Sequence, residues 1–184
     1  MTPPADDALL RFYRLEGRDA RGRTLSDVWA WDDARLESVH DYIQRLFPLP
    51  EPSAFNPAAP ILTEATVEAF RADPHLQQRL LRSLATMLDF YGLALAAGAG
   101  GAPRIEPAVA FAAKSRGWLH PGNHNHLRLT RILTSLRLLG LEDHARALYA
   151  CLAAIARDHP HAVSATTLAY WRNAAASSDD PGRG

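Results

Sequence analysis

The stretch from Asn123 to Gly140, NHNHLRLTRILTSLRLLG, decides the class of fold. Leucine or isoleucine recurs in it at the three- and four-residue spacing that places side chains on one face of an α-helix. The residues of this face are Leu129, Ile132, Leu133, Leu136 and Leu139. The stretch therefore predicts an amphipathic helix that ends at Gly140, because glycine readily adopts the left-handed conformation that closes a helix.

Similar patterns along most of the chain predict an all-α protein. Helices are predicted from Asp6 or Asp7 to Gly17, as a short turn from Ser26, from Asp32 to Pro48, from Thr63, from Asp73 to Gly92, weakly over 105–115, over 142–157 and from Ser164. No long segment alternates apolar and polar residues, as a half-buried strand does. We predict a compact single-domain bundle of six to eight helices over residues 1–176, followed by a polar tail over 177–184.

Five prolines interrupt this helical pattern, at positions 48, 50, 52, 57 and 60. Proline has no backbone N–H and a fixed φ, so this segment is neither a helix nor a central strand. We predict that residues 48–60 are extended and lie on the surface, held by Phe55, Ile61 and Leu62. The residues over 96–103 are rich in glycine and alanine and predict a loop.

The charge balance narrows the class of partner. The 184 residues include 20 Lys+Arg and 20 Asp+Glu, which gives a net charge of zero. Proteins that hold nucleic acid by releasing counterions are usually basic, so we predict no nucleic-acid partner. Lys114 is the only lysine, and this alanine-rich, lysine-poor composition is typical of a GC-rich genome and favours a bacterial source.

The N-terminus and the single cysteine indicate a cytoplasmic protein. Cys151 has no second cysteine with which to form a disulfide within the chain, and its apolar neighbours predict a buried thiol rather than a nucleophile. Asp6 and Asp7 interrupt the N-terminus, so we predict no signal peptide. No uncharged apolar stretch approaches the ~20 residues of a membrane-spanning helix, so we predict no membrane span.

A polar stripe on the helix after Asn123 is the first candidate site. His124, Arg128, Arg131 and Ser135 lie on one side of this helix, with leucines on both edges of the stripe. A helix N-terminus, an imidazole and two guanidinium groups together suit an anion. The alternative is that the two arginines form salt bridges within the protein.

Other histidines give further candidates. His40 and Gln44 are spaced to share one face of the helix predicted after Asp32, where they would hold a ligand or orient a general base. The alternative for His40 is a partly buried, hydrogen-bonded histidine. His120, His124 and His126 invite a metal site, but their spacing fits metal coordination poorly and we predict none. No motif indicates a catalytic residue or a cofactor.

Several blocks of sequence resemble one family of proteins, the opioid growth factor receptor conserved region. The blocks are WAWDD (29–33), LESVHDYIQRLFPL (36–49), SAFNPAAPILT (53–63), MLDFYG (87–92) and HNHLRLTRILTSLRLLG (124–140). The resemblance extends over residues 9–155. Arg45 stands where the vertebrate pattern has tryptophan, and His126 stands where it has tyrosine.

The resemblance implies a receptor-like domain. Vertebrate members are described as receptors for an enkephalin peptide that act on growth, are associated with the nucleus and carry long C-terminal extensions. Our preferred hypothesis is a non-enzymatic binding domain for a peptide or an anionic small molecule. Its predicted pocket combines His40 and Gln44 from one helix with His124, Asn125, Arg128 and Arg131 from another.

Two alternatives stay open at the level of sequence. The first is an enzyme that acts on an anionic small molecule, with His40 or His124 as general base and the arginines as a clamp. The second is a protein–protein interaction module that uses the segment over 48–60 and exposed leucines.

Overall fold

The computed structural model of the chain describes residues 8–54 and 56–176. The elements within these residues are α1 (Ala8–Tyr13), α2 (Leu25–Trp29), α3 (Asp33–Ser38), α4 (Ile43–Leu46), α5 (Glu64–Ala72), α6 (Pro74–Tyr91), β1 (Leu93–Ala97), β2 (Pro103–Pro107), α7 (Phe111–Lys114), α8 (Asn125–Leu138), α9 (Glu142–Asp158) and α10 (Ala165–Ala175). The predicted helical class is confirmed. The described residues form ten α-helices rather than six to eight, because several are short helices of four to six residues.

The chain packs as two compact units, Met1–Thr86 and Met87–Gly184. The boundary between them falls inside α6. The single domain over residues 1–176 stays a prediction. The predicted caps Asp6 and Asp7, the anchor Phe55 and the tail over 177–184 lie outside the described residues.

In the first unit, two short helices replace the single helix predicted from Asp32 to Pro48. Asp32 caps α3 as predicted, by accepting the N–H of Arg35 at 2.8 Å. The Tyr42 hydroxyl then donates to the Leu36 carbonyl at 2.9 Å, which is the carbonyl that a continued helix would offer to residue 40. The chain leaves the helix at Val39, with φ −92° and ψ 130°, and returns to it at α4.

The proline-rich segment is irregular, as predicted. It contains two isolated β-bridges, Leu49 with Ile61 and Ser53 with Asn56, and its described residues form no helix. Of the predicted apolar anchors, Leu62 is buried. Ile61 is 51% exposed, so its prediction as an anchor is wrong: successive side chains of an extended chain point to opposite sides, and Leu62 takes the inward side.

In the second unit, α8 packs against α9 and α10, and α9 packs along β2. The hairpin of β1 and β2 pairs Leu95 with Ile105 in an antiparallel register. The weak helix predicted over 105–115 is therefore wrong at its start, and only Phe111–Lys114 is α-helical. The short 3-10 turn Ala99–Gly101 closes the hairpin, inside the predicted loop.

Among the described helices, none combines the length and the apolar character that crossing a lipid bilayer requires.

Candidate functional site

The N-terminal half of α8 carries four of the predicted site residues. His124 stands at the boundary of the helix and is exposed, whereas Asn125 has no exposed surface. Arg128 is 6% exposed and Arg131, one turn further on, is half-buried. The stripe that the sequence predicts is thus present, and it runs from the surface at His124 into the protein.

Asn125 is the centre of a buried polar cluster. Its Oδ1 accepts from the Tyr91 hydroxyl at 3.4 Å and from Arg128 Nη1 at 3.3 Å. Its Nδ2 lies 3.4 Å from His124 Nε2. The neutral amide of Asn125 thus helps to fix the position of the Arg128 guanidinium. Asn125 therefore acts as a positioning residue behind the exposed part of the stripe.

The start of α8 is also tied to the loop before it. The Asn123 side chain accepts the N–H of Asn125 at 2.8 Å and donates to the Gly117 carbonyl at 3.0 Å. One end of the Asn123 amide thus satisfies the first N–H of α8 and the other end fixes the preceding turn. The positive end of the α8 dipole lies beside His124 and Arg128, which raises the local preference for negative charge.

His126 faces inward, away from His124, between two tryptophan rings. The ring centres of Trp118 and Trp171 are 6.4 and 5.4 Å from that of His126, both edge-on. His126 Nε2 donates to the Trp118 carbonyl at 3.0 Å, and Trp171 Nε1 donates to the His126 carbonyl at 3.0 Å. Burial lowers the pKa of His126, partly opposed by its bond to the Trp118 carbonyl. This histidine joins three parts of the second unit and serves packing.

The other two predicted site residues belong to the first unit. His40 lies between α3 and α4 and is exposed, so the prediction that it shares a helix face with Gln44 is wrong. Gln44 lies in α4 and is 5% exposed, and its Oε1 has no hydrogen-bond partner among residues 8–54 and 56–176. The meeting of these two residues with the α8 stripe in one pocket stays a prediction.

An ion-pair network beside His40 was not predicted from the sequence. Asp41 pairs with Arg21 and, at 2.9 Å, with Arg23, which also bonds Asp19 at 2.6 Å. The guanidinium of Arg23 lies 5.4 Å from the centre of the Trp31 ring. The paired arginines lower the pKa of Asp41 against the opposing effect of burial. These partners are 18 or more positions from Asp41 along the chain, so no local spacing could reveal them.

Cys151 is buried, as predicted. Burial raises the pKa of its thiol to about 11, with a smaller contribution from the Glu106 carboxylate. Very little thiolate is present at neutral pH, so this residue is poorly suited to be a nucleophile.

The structure thus combines a helical fold with a helix start, at α8, where the Arg128 guanidinium bonds to the buried amide of Asn125. Residues 5–180 match the model of the family described as the opioid growth factor receptor (OGFr) conserved region. The chain therefore belongs to this family.

Curated relatives agree with this assignment. The chain is 39% identical to the human opioid growth factor receptor over 141 residues, which cover 74% of this chain and 20% of that protein. It is 43% identical to the mouse receptor over 139 residues, which cover 73% and 21%. It is 36% identical to opioid growth factor receptor-like protein 1 of Xenopus tropicalis over 144 residues, which cover 76% and 27%. The chain thus spans about a fifth to a quarter of the length of these relatives, and no solved structure matches it.

Proposed function

We propose that this chain is a non-enzymatic, receptor-like binding domain that holds an anionic group of a peptide or small molecule at the start of α8. The observation that carries the proposal is the nearly buried guanidinium of Arg128, positioned by the neutral Asn125 beside the exposed His124. A cation already fixed in position loses little conformational freedom when an anion arrives. Arg131 would complete the contact from the next turn of the helix.

Two further observations support a peptide as the ligand. Leu127 is 61% exposed on the turn that carries His124, which offers an apolar contact that a simple anion would not use. The curated relatives are named as receptors for an opioid growth factor.

The proposal also keeps His40 and Gln44 as ligand contacts. The buried Oε1 of Gln44 would accept a hydrogen bond from the ligand.

A thermal-shift experiment with the whole chain tests this proposal. The probes are inorganic phosphate, succinate and an enkephalin peptide, each with wild type, Arg131→Gln, Arg128→Lys and Leu127→Ser. A ligand at a hundredfold excess over its Kd stabilises the folded state by about 2.7 kcal/mol. We expect that shift to shrink in Arg131→Gln and in Arg128→Lys, because a lysine keeps the charge but loses the fork.

The control is Arg157→Gln, which removes an exposed arginine from the end of α9. We expect it to leave the ligand shift unchanged. Leu127→Ser should reduce the shift with the peptide and not with phosphate. If a probe stabilises Arg131→Gln and Arg128→Lys as much as wild type, the proposed site is wrong.

A further inference from the structure

The second unit contains a groove that the α8 proposal does not use. It lies between β2 and one face of α9, with a volume of about 450 Å³. Its floor includes Ala147, Ala150 and Ala154 of α9, and its opposite wall is formed by the residues of β2. The small floor residues leave room for another chain to approach both elements.

The backbone of β2 offers one hydrogen-bonding position on its outer edge. Bonds from Gly98 N–H to the Ala102 carbonyl at 2.8 Å and from Ala108 N–H to the Gly92 carbonyl at 2.9 Å fix the phase of the hairpin. Hydrogen-bonded pairs alternate along an antiparallel ladder, so the N–H and C=O of Ile105 point away from β1. In the part of the chain that the structure describes, no backbone hydrogen bond to this outward pair is found.

Prolines limit what this edge can bind. Pro103 and Pro107 occupy the two other outward positions of β2, and proline has no N–H to donate. A long strand therefore cannot continue the sheet along the full edge. A short extended segment can still bond to Ile105 through one N–H and one C=O. Residues of β2, Ile105 among them, and of α9 line the groove together, so such a segment would lie in it.

The charges at the rim favour a basic segment. Glu106 and Asp158 both line the groove, and Asp158 is the last residue of α9, where the helix dipole adds negative potential. Arg104 is the opposing charge, and it is held by Glu106 at 3.0 Å. The groove thus has two carboxylates and one guanidinium, and the carbonyls of Pro103, Ile105 and Pro107 point outward from β2. It is therefore rich in hydrogen-bond acceptors and poor in donors.

We infer that this groove is a second binding surface, which takes a short extended segment of a partner protein with a lysine or arginine side chain. The segment pairs its backbone with the outward N–H and C=O of Ile105 and lays its basic side chain between Glu106 and Asp158. The inference goes beyond the proposed function and does not depend on it, because the two surfaces share no residue.

The test uses the full chain labelled with nitrogen-15 and an acetylated, amidated pentapeptide, Ala-Val-Lys-Val-Ala. We expect the amide signals of Ile105 and Ala154 to shift on titration. The lysine peptide should bind at least ~10-fold more tightly than a version with norleucine. Methylating the peptide's backbone nitrogens should weaken binding by a similar factor while leaving the lysine in place, because only the backbone pairing is removed.

Matched variants locate the charge effect. The double variant Glu106→Gln, Asp158→Asn should remove the preference for lysine over norleucine, whereas Asp143→Asn, an exposed acid at the other end of α9, should keep it. Equal binding of the lysine and norleucine peptides by wild type would overturn the inference, as would shifts confined to α8. Shifts at Ile105 that depend on protein concentration would instead identify a second copy of the chain as the occupant. None of these results alters the Arg131→Gln test of the α8 site.

Discussion

Two serines without exposed surface, Ser83 in α6 and Ser135 in α8, show how a single hydroxyl changes stability. Ser83 Oγ accepts from Trp29 Nε1 at 3.0 Å and from the Tyr13 hydroxyl at 3.3 Å. Ser135 Oγ has no hydrogen-bond partner among the described residues. We expect Ser83→Ala to lower the free energy of unfolding by about 1–3 kcal/mol and Ser135→Ala to raise it by about 1 kcal/mol.

Urea unfolding of the two variants measures this difference. Both serines lie within helices, so the gain in helix propensity on replacement by alanine is common to both. The difference between the variants therefore reports on the hydrogen-bond partners alone. A Ser135→Ala variant less stable than wild type would show that this hydroxyl is bonded in solution.

His126 makes the stability of the protein depend on pH. Burial lowers its pKa below the ordinary value of 6.5. Below pH 6.5 the unfolded chain therefore binds a proton that the folded chain does not, so the free energy of unfolding falls as the pH drops. We expect this fall between pH 7 and pH 5 to be smaller in His126→Phe.

Unfolding curves at several pH values check this expectation. Ser135→Ala, which changes no ionisable group, is the control and should keep the slope of wild type. His144 also has a pKa lowered by burial, so His144→Gln should remove a separate part of the same slope. A His126→Phe variant with an unchanged slope would contradict the expectation.

At the scale of elements, Gly92 is where α6 turns into β1, and its conformation disfavours any other residue. Its φ is +75°, and a Cβ placed on it would lie 2.8 Å from the Cα of Phe111. Gly122 has a similar φ of +71° with no atom within 4 Å of its added Cβ. We expect Gly122→Ala to lower the free energy of unfolding by about 1–2 kcal/mol, because alanine is disfavoured in the left-handed conformation. Gly92→Ala should cost about 3 kcal/mol or more, because backbone must also move.

Thermal and urea unfolding of the two variants test this comparison. Since the backbone conformations match, the additional loss in Gly92→Ala measures the close approach of α7. Equal losses would show that α7 relaxes away from position 92 without cost.

The sequence predicts long elements well and short ones poorly. The stripes that became α6, α8 and α9 are each 14 to 18 residues long, and capping residues such as Ser164 located helix starts correctly. The sequence does not predict the hairpin, because both faces of β1 carry only leucine and alanine. Apolar and polar residues therefore do not alternate along this strand. The helix predicted from Asp32 ends at Ser38, and the Tyr42 hydroxyl bonds to the Leu36 carbonyl, a contact that depends on packing and not on local spacing.

The candidate site was likewise predictable where it depends on spacing within one helix, and not where it depends on contacts between distant parts of the chain. The α8 stripe follows from spacing within one helix, and its position was predictable. The burial of Asn125 and its bond to Tyr91 depend on a residue 34 positions away, beyond what periodicity reveals. The predicted position of His40 on a helix face is wrong, because the helix that would carry it ends at Ser38.

At the scale of the whole molecule, the boundary between the two compact units falls inside α6, between Thr86 and Met87, rather than in a linker. A helix propagates cooperatively, so unfolding one half of α6 removes hydrogen bonds and support from the other half. We therefore expect the chain to unfold in one transition, as the prediction of a single domain over residues 1–176 requires.

Hydrogen exchange read separately for α5 and α9 tests this expectation, since these helices lie in different units. Gly92→Ala, in the second unit, should lower the free energy of opening equally for the slowest amides of both helices. Ser83→Ala, in the first unit, should likewise lower the free energy of opening equally for the slowest amides of both helices. If Gly92→Ala weakens protection in α9 while α5 keeps that of wild type, the units open independently. The continuous α6 would then not couple them, and the prediction of one domain would be wrong.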